Sequence, residues 1–424
     1  MQIKISGILT CLTLLTASLS AVAQEEALTY HKDIEPIIIK NCVPCHRQGQ
    51  AAPFPLTSFQ DVIKRADFIK HAVETRYMPP WFADPEFRSF KNERILNQED
   101  IDKISAWVAQ GKKRGTPVDR PALDNLAESY PEPDLVVPMN KPFTIPGDNQ
   151  EHFRVFVMPT DLEKEVYVKG IDYLPGNRRY THHSRMMIDT TNTIREDDGI
   201  EIGEESVFEN STITLYDYFY HGWVPGNFPV MYPEGIAKKL PAGSDLVMNV
   251  HYSPTPVDET DNARVAFYLS DEKPERFAKT YILKESDITN GPLIIPAGSK
   301  QTFYMRSPVI RKDISLINLL PHMHLLGKSF RAFAITPDSE VIPLLKIDDW
   351  DFNWQMTYQF HKMLRIPKGS VIYAEATFDN TEENPRNPSY PPVDVGYGWG
   401  TKDEMFELIM QYVPYQEGDE DIEL

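Results

Sequence analysis

Two histidines flank a methionine in Leu320-Pro321-His322-Met323-His324-Leu325-Leu326-Gly327-Lys328. Because side chains alternate between the two faces of a β-strand, an extended chain here sends His322 and His324 to one face and Met323 to the other. Two imidazoles on one face can hold zinc, copper, iron or nickel. The alternative is that one histidine is packed in a core and the other lies at a strand end, so other parts of the chain must decide.

The composition is that of a globular protein rich in β-structure. The 424 residues are 25% charged and 41% hydrophobic, which is compatible with roughly two to four domains. The 35 prolines, against 21 glycines, and the 11% of aromatic residues favour short strands and rigid turns over long helices. The net charge of −19 argues against nucleic acid or an anionic membrane as a partner.

The N-terminus has the features of a secretory signal peptide, predicted over residues 1–23. Lys4 supplies the positive region, an apolar stretch runs from Ile8 to Leu19, and Ala21-Val22-Ala23 forms a cleavage site. The apolar stretch is short for a membrane span and no other such run follows. The mature chain, with a net charge of −20 after the loss of Lys4, is therefore predicted to be periplasmic or secreted, without a membrane span.

The two cysteines beyond that leader fall in Cys42-Val43-Pro44-Cys45-His46. This is the C-x-x-C-H pattern of c-type haem attachment, in which both thiols bond the porphyrin and His46 is placed to be the proximal iron ligand. The alternative is a redox-active C-x-x-C beside an incidental histidine.

Helical segments are predicted on both sides of this motif. One runs from Asp33 to Asn41, a second is capped by Ser58 and continues to Val73, and a third begins after Asn97 and is closed by Gly111. Three helices around C-x-x-C-H resemble a small class I cytochrome c domain.

That resemblance covers residues 25–118 and implies a second axial haem ligand in a loop after the middle helix. Met78, in Tyr77-Met78-Pro79-Pro80-Trp81, fits that place. A thioether ligand raises the reduction potential of haem iron. His71, on the preceding helix, is the alternative ligand, or else a solvated residue of the helix face.

Residues 119–146 are predicted to be a proline-rich linker without a helical period. Beyond it, short β-prone runs are separated by turns of Pro, Gly, Asn or Asp. The predicted strands are His152–Val157, Glu165–Ile171, Leu246–Tyr252, Ala263–Leu269, Gln301–Arg306, Phe330–Thr336, Trp354–Phe360, Val371–Phe378 and Glu404–Tyr412. Strands with no helix between them favour antiparallel sandwiches, and about 300 residues are too many for one.

The predicted fold is therefore mainly β. It consists of two tandem antiparallel, jelly-roll-type β-sandwiches over residues 147–272 and 273–424, which meet near residues 271–290. A small all-α domain precedes them.

Three further histidines are candidate metal ligands. His182 and His183 are adjacent, so both could bind one ion only where their strand ends or bulges. His251 lies at the end of a predicted strand. Met405 is predicted within a strand, where it alternates with Glu407.

Residues 147–415 resemble the copper type II, ascorbate-dependent monooxygenases, the family of peptidylglycine α-hydroxylating monooxygenase and dopamine β-monooxygenase. The matching pieces occur in the family's order and are His182-His183, Gly222-Trp223-Val224-Pro225-Gly226, Tyr232-Pro233-Glu234-Gly235, Val250-His251-Tyr252, the His322–Lys328 block and Glu404-Met405. The resemblance implies one copper in each sandwich, with an open, watery cleft between the two ions. It also implies ascorbate or another one-electron reductant.

By this resemblance His182, His183 and His251 would hold the copper that transfers electrons. His322, His324 and Met405 would hold the copper that binds dioxygen. A thioether is a soft donor that favours Cu(I), the state that meets O₂. It is a poor ligand for zinc, which argues against a structural zinc protein.

The sequence departs from the family at the substrate positions. Leu320 stands where members that act on peptides carry an arginine that clamps the substrate carboxylate, so a peptide C-terminus is not expected as the substrate. Glu407 and Ile409 replace an asparagine and a tyrosine. Glu407 would favour a cationic or hydroxylated substrate if it lines the cleft; otherwise it is a solvated charge on a strand face.

These features predict an exported haem- and copper-dependent monooxygenase that hydroxylates a C–H bond of a small substrate with O₂. Electrons would pass from haem c through the copper of the three histidines to the copper of His322, His324 and Met405, with a periplasmic donor as a possible partner. The alternative is a non-enzymatic periplasmic protein that binds copper and transfers electrons. The remaining candidates (His31, His152, His221 and His361) are not expected to bind metal.

Overall fold

The computed structural model of this chain describes residues 27–119, 130–202, 214–227 and 229–424. The predicted signal peptide, residues 1–23, lies outside them. No helix in the described ranges is both long enough and apolar enough to cross a membrane.

The N-terminal unit is helical. Its α-helices are α1 Glu35–Asn41, α2 Phe59–Ile63, α3 Ala66–Glu74 and α4 Gln98–Ala109, and a π-helical turn, Tyr30–Ile34, precedes α1. They enclose a small core to which Ile38, Val62 and Trp107 contribute.

Both predicted N-caps of this unit are confirmed. Ser58 Oγ accepts a hydrogen bond from the Asp61 N–H at 3.2 Å, and Asn97 Oδ1 accepts one from the Asp100 N–H at 2.8 Å. The prediction of a single helix from Ser58 to Val73 is wrong in one respect. It is divided into α2 and α3, because Arg65 leaves the helical region with φ −122° and ψ 9°.

The first sandwich lies between residues 135 and 277. Its strands are β1 Leu135–Pro138, β2 Phe143–Ile145, β3 His152–Pro159, β4 Val166–Leu174, β5 Thr181–Asp189, β6 Ile200–Glu201, β7 Asp217–Trp223, β8 Val230–Met231, β9 Ile236–Leu240, β10 Asp245–Tyr252, β11 Glu259–Asp261, β12 Arg264–Leu269 and β13 Arg276–Phe277. One sheet has the order β1-β12-β4-β9-β13 with β8 on β4, and the other has the order β6-β3-β10-β5-β7.

The pairs of these two sheets are antiparallel except for β13, which runs parallel to β9. One core lies between them, to which Phe267 of the first sheet and Met186 and Val250 of the second contribute. The segment predicted as a linker, 119–146, contains β1 and β2 and is not a linker throughout. Pro138 is compatible with β1 because that strand is at a sheet edge, where a missing N–H breaks no ladder.

The second sandwich follows after a single residue, Ala278. Its strands are β14 Lys279–Leu283, β15 Ile294–Ile295, β16 Lys300–Arg306, β17 Ile314–His322, β18 Gly327–Ile335, β19 Val341–Ile347, β20 Tyr358–Ile366, β21 Val371–Asp379, β22 Val395–Gly396 and β23 Glu407–Pro414. Its sheets have the orders β14-β23-β17-β20 and β16-β21-β18-β19.

The mainly β prediction is confirmed, but three strand ends at the candidate metal centres differ from the predictions. β20 begins at Tyr358 and β23 at Glu407, so residues 354–357 and Met405 lie outside strands. β17 ends at His322, so His324 lies in the following turn. In each case the loop residues make side-chain hydrogen bonds at the candidate metal centres, and these long-range contacts leave no periodic pattern in the sequence.

The helical unit is tied to the second sandwich by the segment between α3 and α4. Ala83 forms a β-bridge with Ile347, and the Asp84 N–H donates to Lys346 O at 2.8 Å. Phe90 is buried, with its ring centroid 5.1 Å from that of Tyr358. This segment is therefore part of the core of the second sandwich.

The two sandwiches contact each other along β7, β17 and β23. Phe219, Leu320 and Ile409, one from each of these strands, form a buried apolar cluster. Both candidate metal centres lie beside this contact.

Candidate metal centres

The first centre depends on a bulge in β5. His183 of β5 pairs with His251 of β10, and Thr181 of β5 pairs with Tyr252 of β10. His182 therefore has no partner residue in β10 and is the extra residue of the bulge. Such a bulge removes the alternation between adjacent residues. His182, His183 and His251 each bring one ligand nitrogen to within 4.8 Å of the others. The irregularity that two adjacent ligands require is thus present.

The hydrogen bonds of His182 determine which of its nitrogens is available. Its Nε2–H donates to Asn353 Oδ1 at 3.1 Å, and the Asn353 amide is oriented by donating to Asp351 Oδ1 at 2.9 Å. Nδ1 of His182 therefore carries the lone pair, and it lies 3.0 Å from His183 Nδ1.

His251 is the most buried member of this cluster. It is 1% exposed, stacks on Phe153 at 4.0 Å between centroids, and has no hydrogen-bond partner on either ring nitrogen. Burial lowers the pKa of all three imidazoles, and neighbouring rings lower it further for His183 and His251. Neutral imidazoles with an unsatisfied buried nitrogen fit a metal ion, because a metal ligand must be deprotonated.

The second centre lies just after β17. The ring centroids of His322 and His324 are 5.1 Å apart, whereas Met323 between them is fully buried in the core. His322 Nδ1–H donates to Gln355 Oε1, and His324 Nδ1–H donates to Asp403 O at 3.0 Å. Since each acceptor is an oxygen, Nε2 carries the lone pair on both rings and is available to a metal.

One buried carboxyl group positions the segments that carry two ligands of this centre. Glu404 is 0% exposed and accepts hydrogen bonds from the N–H groups of His324 at 2.9 Å and Met405 at 3.3 Å, as well as from Leu326. Burial raises its pKa to about 8. These bonds hold Met405 in place although it precedes β23, which corrects the strand predicted for it.

Both centres border one small cavity of about 70 Å³, lined by His183, His322, His324 and Met405 among others. The Phe352 ring lies 5.6 Å from that of His182, 6.0 Å from that of His251 and 5.9 Å from that of His324. The Phe352 ring therefore lies between rings of the two centres.

Glu407, one of the positions at which the sequence departs from the family, forms an ion pair with Arg185 at this cavity. Arg185 Nη1 lies 3.1 Å from Glu407 Oε2, with side chains 15% and 6% exposed. The guanidinium also lies over the rings of Phe219 and Trp399. Glu407 is thus neither a solvated charge nor free for a cationic group, which corrects both predictions made for it.

The C-x-x-C-H residues form one turn after α1, in which the His46 N–H donates to Cys42 O at 2.8 Å. His46 Nδ1–H donates to Phe54 O at 3.0 Å, so its Nε2 is available to iron. Burial lowers the pKa of His46, which favours the neutral ligand form. Cys42 and Cys45 are free thiols. These features fit a covalently attached haem.

The two alternatives for the second haem ligand differ in exposure. Met78 is half-buried in the loop after α3, with its N–H donating to Ala72 O at 3.1 Å. His71 is exposed on α3 and lines a groove between the helices and the second sandwich.

Several residues of these centres carried no sequence signal. Asn353 and Gln355 orient the imidazoles, Phe352 separates the centres, and Arg185 pairs with Glu407. The amides follow Asp351 in a short loop with no regular spacing. Only a search for polar partners of known ligands could have identified them.

Residues 299–420 match the family model described as "Copper type II ascorbate-dependent monooxygenase, C-terminal domain". This range includes His322, His324 and Met405. No curated protein matches the chain.

Solved structures that align with the chain include an infectious bursal disease virus VP2 subviral particle, at 11% identity, covering 68% of this chain and 74% of that one, with a TM-score of 0.18. Allantoicase aligns at 8% identity, covering 57% and 83%, with a TM-score of 0.15. Scores this low support no conclusion about the fold. The family match stands by itself, and it indicates that the second sandwich is similar to the C-terminal domain of copper-dependent, ascorbate-using oxidoreductases.

Proposed function

We propose that this protein is an exported monooxygenase that hydroxylates a C–H bond of a small substrate, with copper at both histidine centres and a haem c on the N-terminal helices. The overall reaction consumes the substrate, O₂, two electrons and two protons and yields the hydroxylated product and water. The electrons would come from a one-electron reductant, either ascorbate or a periplasmic donor.

The observation that carries this proposal is the convergence of six side chains on one small cavity region. His182 and His183 reach His251 through a bulge, and His322, His324 and Met405 line the cavity beside them. The family match to residues 299–420 supports copper as the metal of the second centre. Bound there, copper supplies one-electron redox chemistry and a site for O₂.

The protein's own residues would orient the ligands and exclude water. Gln355 and the Asp403 carbonyl hold the imidazoles of His322 and His324 through Nδ1, which leaves the Nε2 lone pairs for the metal. The apolar side chains of Leu320 and Ile409 form one wall, which suits an apolar C–H group of the substrate. Phe352 limits the water between the two centres.

The haem part of the proposal is supported by the free thiols of Cys42 and Cys45 and by the orientation of His46. Met78 is the proposed second ligand. A bound haem c would supply one-electron transfer to the copper centres. Cleavage after Ala23 during export is part of the same proposal, and a mature N-terminus at Gln24 in protein from the periplasm would support it.

The test combines metal analysis with oxygen uptake. Protein matured in a haem-attaching periplasm should contain two copper ions and one haem per chain. With ascorbate and a panel of small amines, phenols and fatty acyl amides, it should consume O₂ and form a hydroxylated product.

Met405→Leu removes the thioether at nearly constant volume and should abolish product formation. Met410→Leu is the matched control, because Met410 is equally buried but packs in the core. Equal activity of both variants would contradict the assignment of Met405.

A second function is favoured by the small size of the cavity. About 70 Å³ and a buried Arg185–Glu407 pair leave little room for a substrate, as expected of a protein that only binds copper and transfers electrons. That function predicts both metals and rapid haem reoxidation by copper, but no product with any substrate of the panel.

A further inference from the structure

The cavity that both metal centres border has a wall that neutralises its own charges. Among the described residues that line it, two carry a formal charge, Arg185 and Glu407, and these form the ion pair already described. A charged ligand in this cavity would either remain unpaired or break that pair and leave one buried charge without a partner. Both outcomes are unfavourable in a site from which water is largely excluded. The wall therefore disfavours ligands of either charge.

Arg185 is held by more than its carboxylate partner. Its Nε–H donates to Tyr218 O at 3.2 Å, and the guanidinium carbon lies 5.6 Å from the centroid of the Phe219 ring and 5.5 Å from that of Trp399. A guanidinium over aromatic faces gains cation–π attraction, which is strongest where water is excluded. Because these contacts fix the group in place, a ligand does not readily draw it away from Glu407.

The wall beside the ion pair is apolar, and the space it encloses is small. Phe219, Leu320 and Ile409, which form the buried cluster between the sandwiches, all line the cavity. Its volume of about 70 Å³ is roughly half that of a cavity of about 150 Å³ that takes benzene. The space thus suits a group of about three non-hydrogen atoms.

We propose that Arg185 and Glu407 together determine the substrate specificity, so that the protein hydroxylates uncharged molecules that present a short aliphatic group to the cavity. This inference rests on the proposed function and narrows it to one substrate class. The reaction keeps its balance: the substrate, O₂, two electrons and two protons yield the hydroxylated product and water. Short-chain alcohols, ethers and amides belong to this class. Amines and carboxylic acids, which are charged at neutral pH, do not.

The two members of the pair come from different sandwiches. Arg185 lies on β5 of the first and Glu407 on β23 of the second. Either sandwich alone would present one uncompensated charge, so the neutral wall exists only where the two sandwiches meet. Discrimination against charged molecules is achieved here by denying them a partner, since both potential partners are already occupied.

The test uses the full chain loaded with haem and copper, and three ligands of nearly equal size: 1-propanol, propylamine and propionate. Ligand-detected NMR of the reduced protein without O₂ measures binding in the absence of turnover. Product analysis with O₂ and ascorbate measures turnover. In the wild type, kcat/KM for 1-propanol should exceed that for either charged ligand at least about tenfold, because each charged ligand lacks a partner.

Two single variants should change the preference in opposite directions. Glu407→Gln frees the guanidinium of Arg185, so the affinity for propionate relative to 1-propanol should rise about tenfold. Arg185→Gln frees the carboxylate of Glu407, and the relative affinity for propylamine should rise instead. Any direct binding of these ligands to copper is common to all variants and does not affect the comparison.

The matched control is Glu375→Gln. It breaks an ion pair of the same sandwich that lies away from the cavity, between Arg331 Nη2 on β18 and Glu375 Oε2 on β21, at 2.7 Å. Both relative affinities should stay at their wild-type values in this variant.

Unchanged relative affinities in Glu407→Gln and Arg185→Gln would overturn the inference, and so would a wild type that turns over a charged ligand best. In both cases product formation leaves the proposed function standing. If the single variants do not fold, Arg185→Met/Glu407→Leu keeps the wall neutral and should still bind 1-propanol best; equal binding of the charged ligands would overturn the inference. Shifted affinities without product from any ligand would overturn the proposed function and leave the selection by charge intact.

Discussion

The two candidate metal centres differ in how the chain positions their ligands. His182, His183 and His251 lie on paired strands, and the register between β5 and β10 determines their positions. His324 and Met405 lie outside strands and depend on the carboxyl group of Glu404. The first centre is thus formed by backbone pairing, and the second by a buried side chain. Substitutions outside the ligands should therefore affect the two centres differently.

The largest loss of stability is expected from Glu404→Ala. Three N–H groups lose their acceptor, and each unsatisfied buried group costs about 1–3 kcal/mol, so we expect a loss of about 4–6 kcal/mol in the free energy of unfolding. Urea denaturation measures this loss. Copper binding should fall from two ions to one per chain, since the strand-borne centre does not use Glu404.

The control for this variant is Glu340→Ala, at an exposed turn of the same sandwich. It should change neither stability nor copper content. If Glu404→Ala lost both copper ions while remaining folded, the two centres would not be positioned independently.

Glu407→Gln tests the ion pair between the sandwiches. Arg185 would remain buried without its counter-ion, which typically costs about 3–5 kcal/mol in unfolding free energy. The double variant Arg185→Met/Glu407→Leu should recover most of this loss, because apolar residues replace both charges. Urea denaturation measures the unfolding free energy of both variants. If the double variant is no more stable than Glu407→Gln, the loss does not come from breaking the Arg185–Glu407 ion pair.

Asn353→Ala and Gln355→Ala compare the two centres directly. Asn353 orients His182, whereas Gln355 orients His322, and loss of such a partner weakens metal binding by about 10–100-fold. Gln355 is buried and Asn353 is exposed, so Gln355→Ala should have the larger effect. Copper titration against a competing chelator should show one weakened site in each variant, and not the same site in both.

The smallest effect on stability concerns His221, a buried histidine of β7 that is not expected to bind metal. Burial, aided by the Lys238 charge, lowers its pKa to about 3, so the folded state keeps it neutral. The unfolded chain takes up a proton below the usual histidine pKa of about 6.5, so stability falls as the pH falls through that value. Between pH 7.5 and pH 5.5, His221 should lower the free energy of unfolding by about 1.4 kcal/mol.

His221→Gln should lack this contribution. The change in unfolding free energy between pH 7.5 and 5.5, measured by urea denaturation, should be smaller in the variant than in the wild type. His361→Gln, at an exposed position, should leave the pH dependence as it is. Equal pH dependence of His221→Gln and wild type would mean that His221 takes up its proton in the folded state.

Local features were predicted well where neighbouring residues decide them. Ser58 and Asn97 cap helices because their side-chain oxygens accept N–H groups only three residues away. The adjacency of His182 and His183 required a bulge, and β5 has one. The predicted linker was partly wrong because β1 pairs with β12, more than a hundred residues later, and its own sequence does not reveal that partner.

The sequence by itself determined the mainly β class, the two helix N-caps at Ser58 and Asn97, and the order of the candidate ligands along the chain. These follow from residue identity and from spacings within a few positions. Only the tertiary structure decided that Glu407 pairs with Arg185, that Phe352 lies between the centres, and that Tyr358 lies beside the helical unit. The physical reason is that burial and charge pairing depend on contacts between residues hundreds of positions apart, which no local periodicity records.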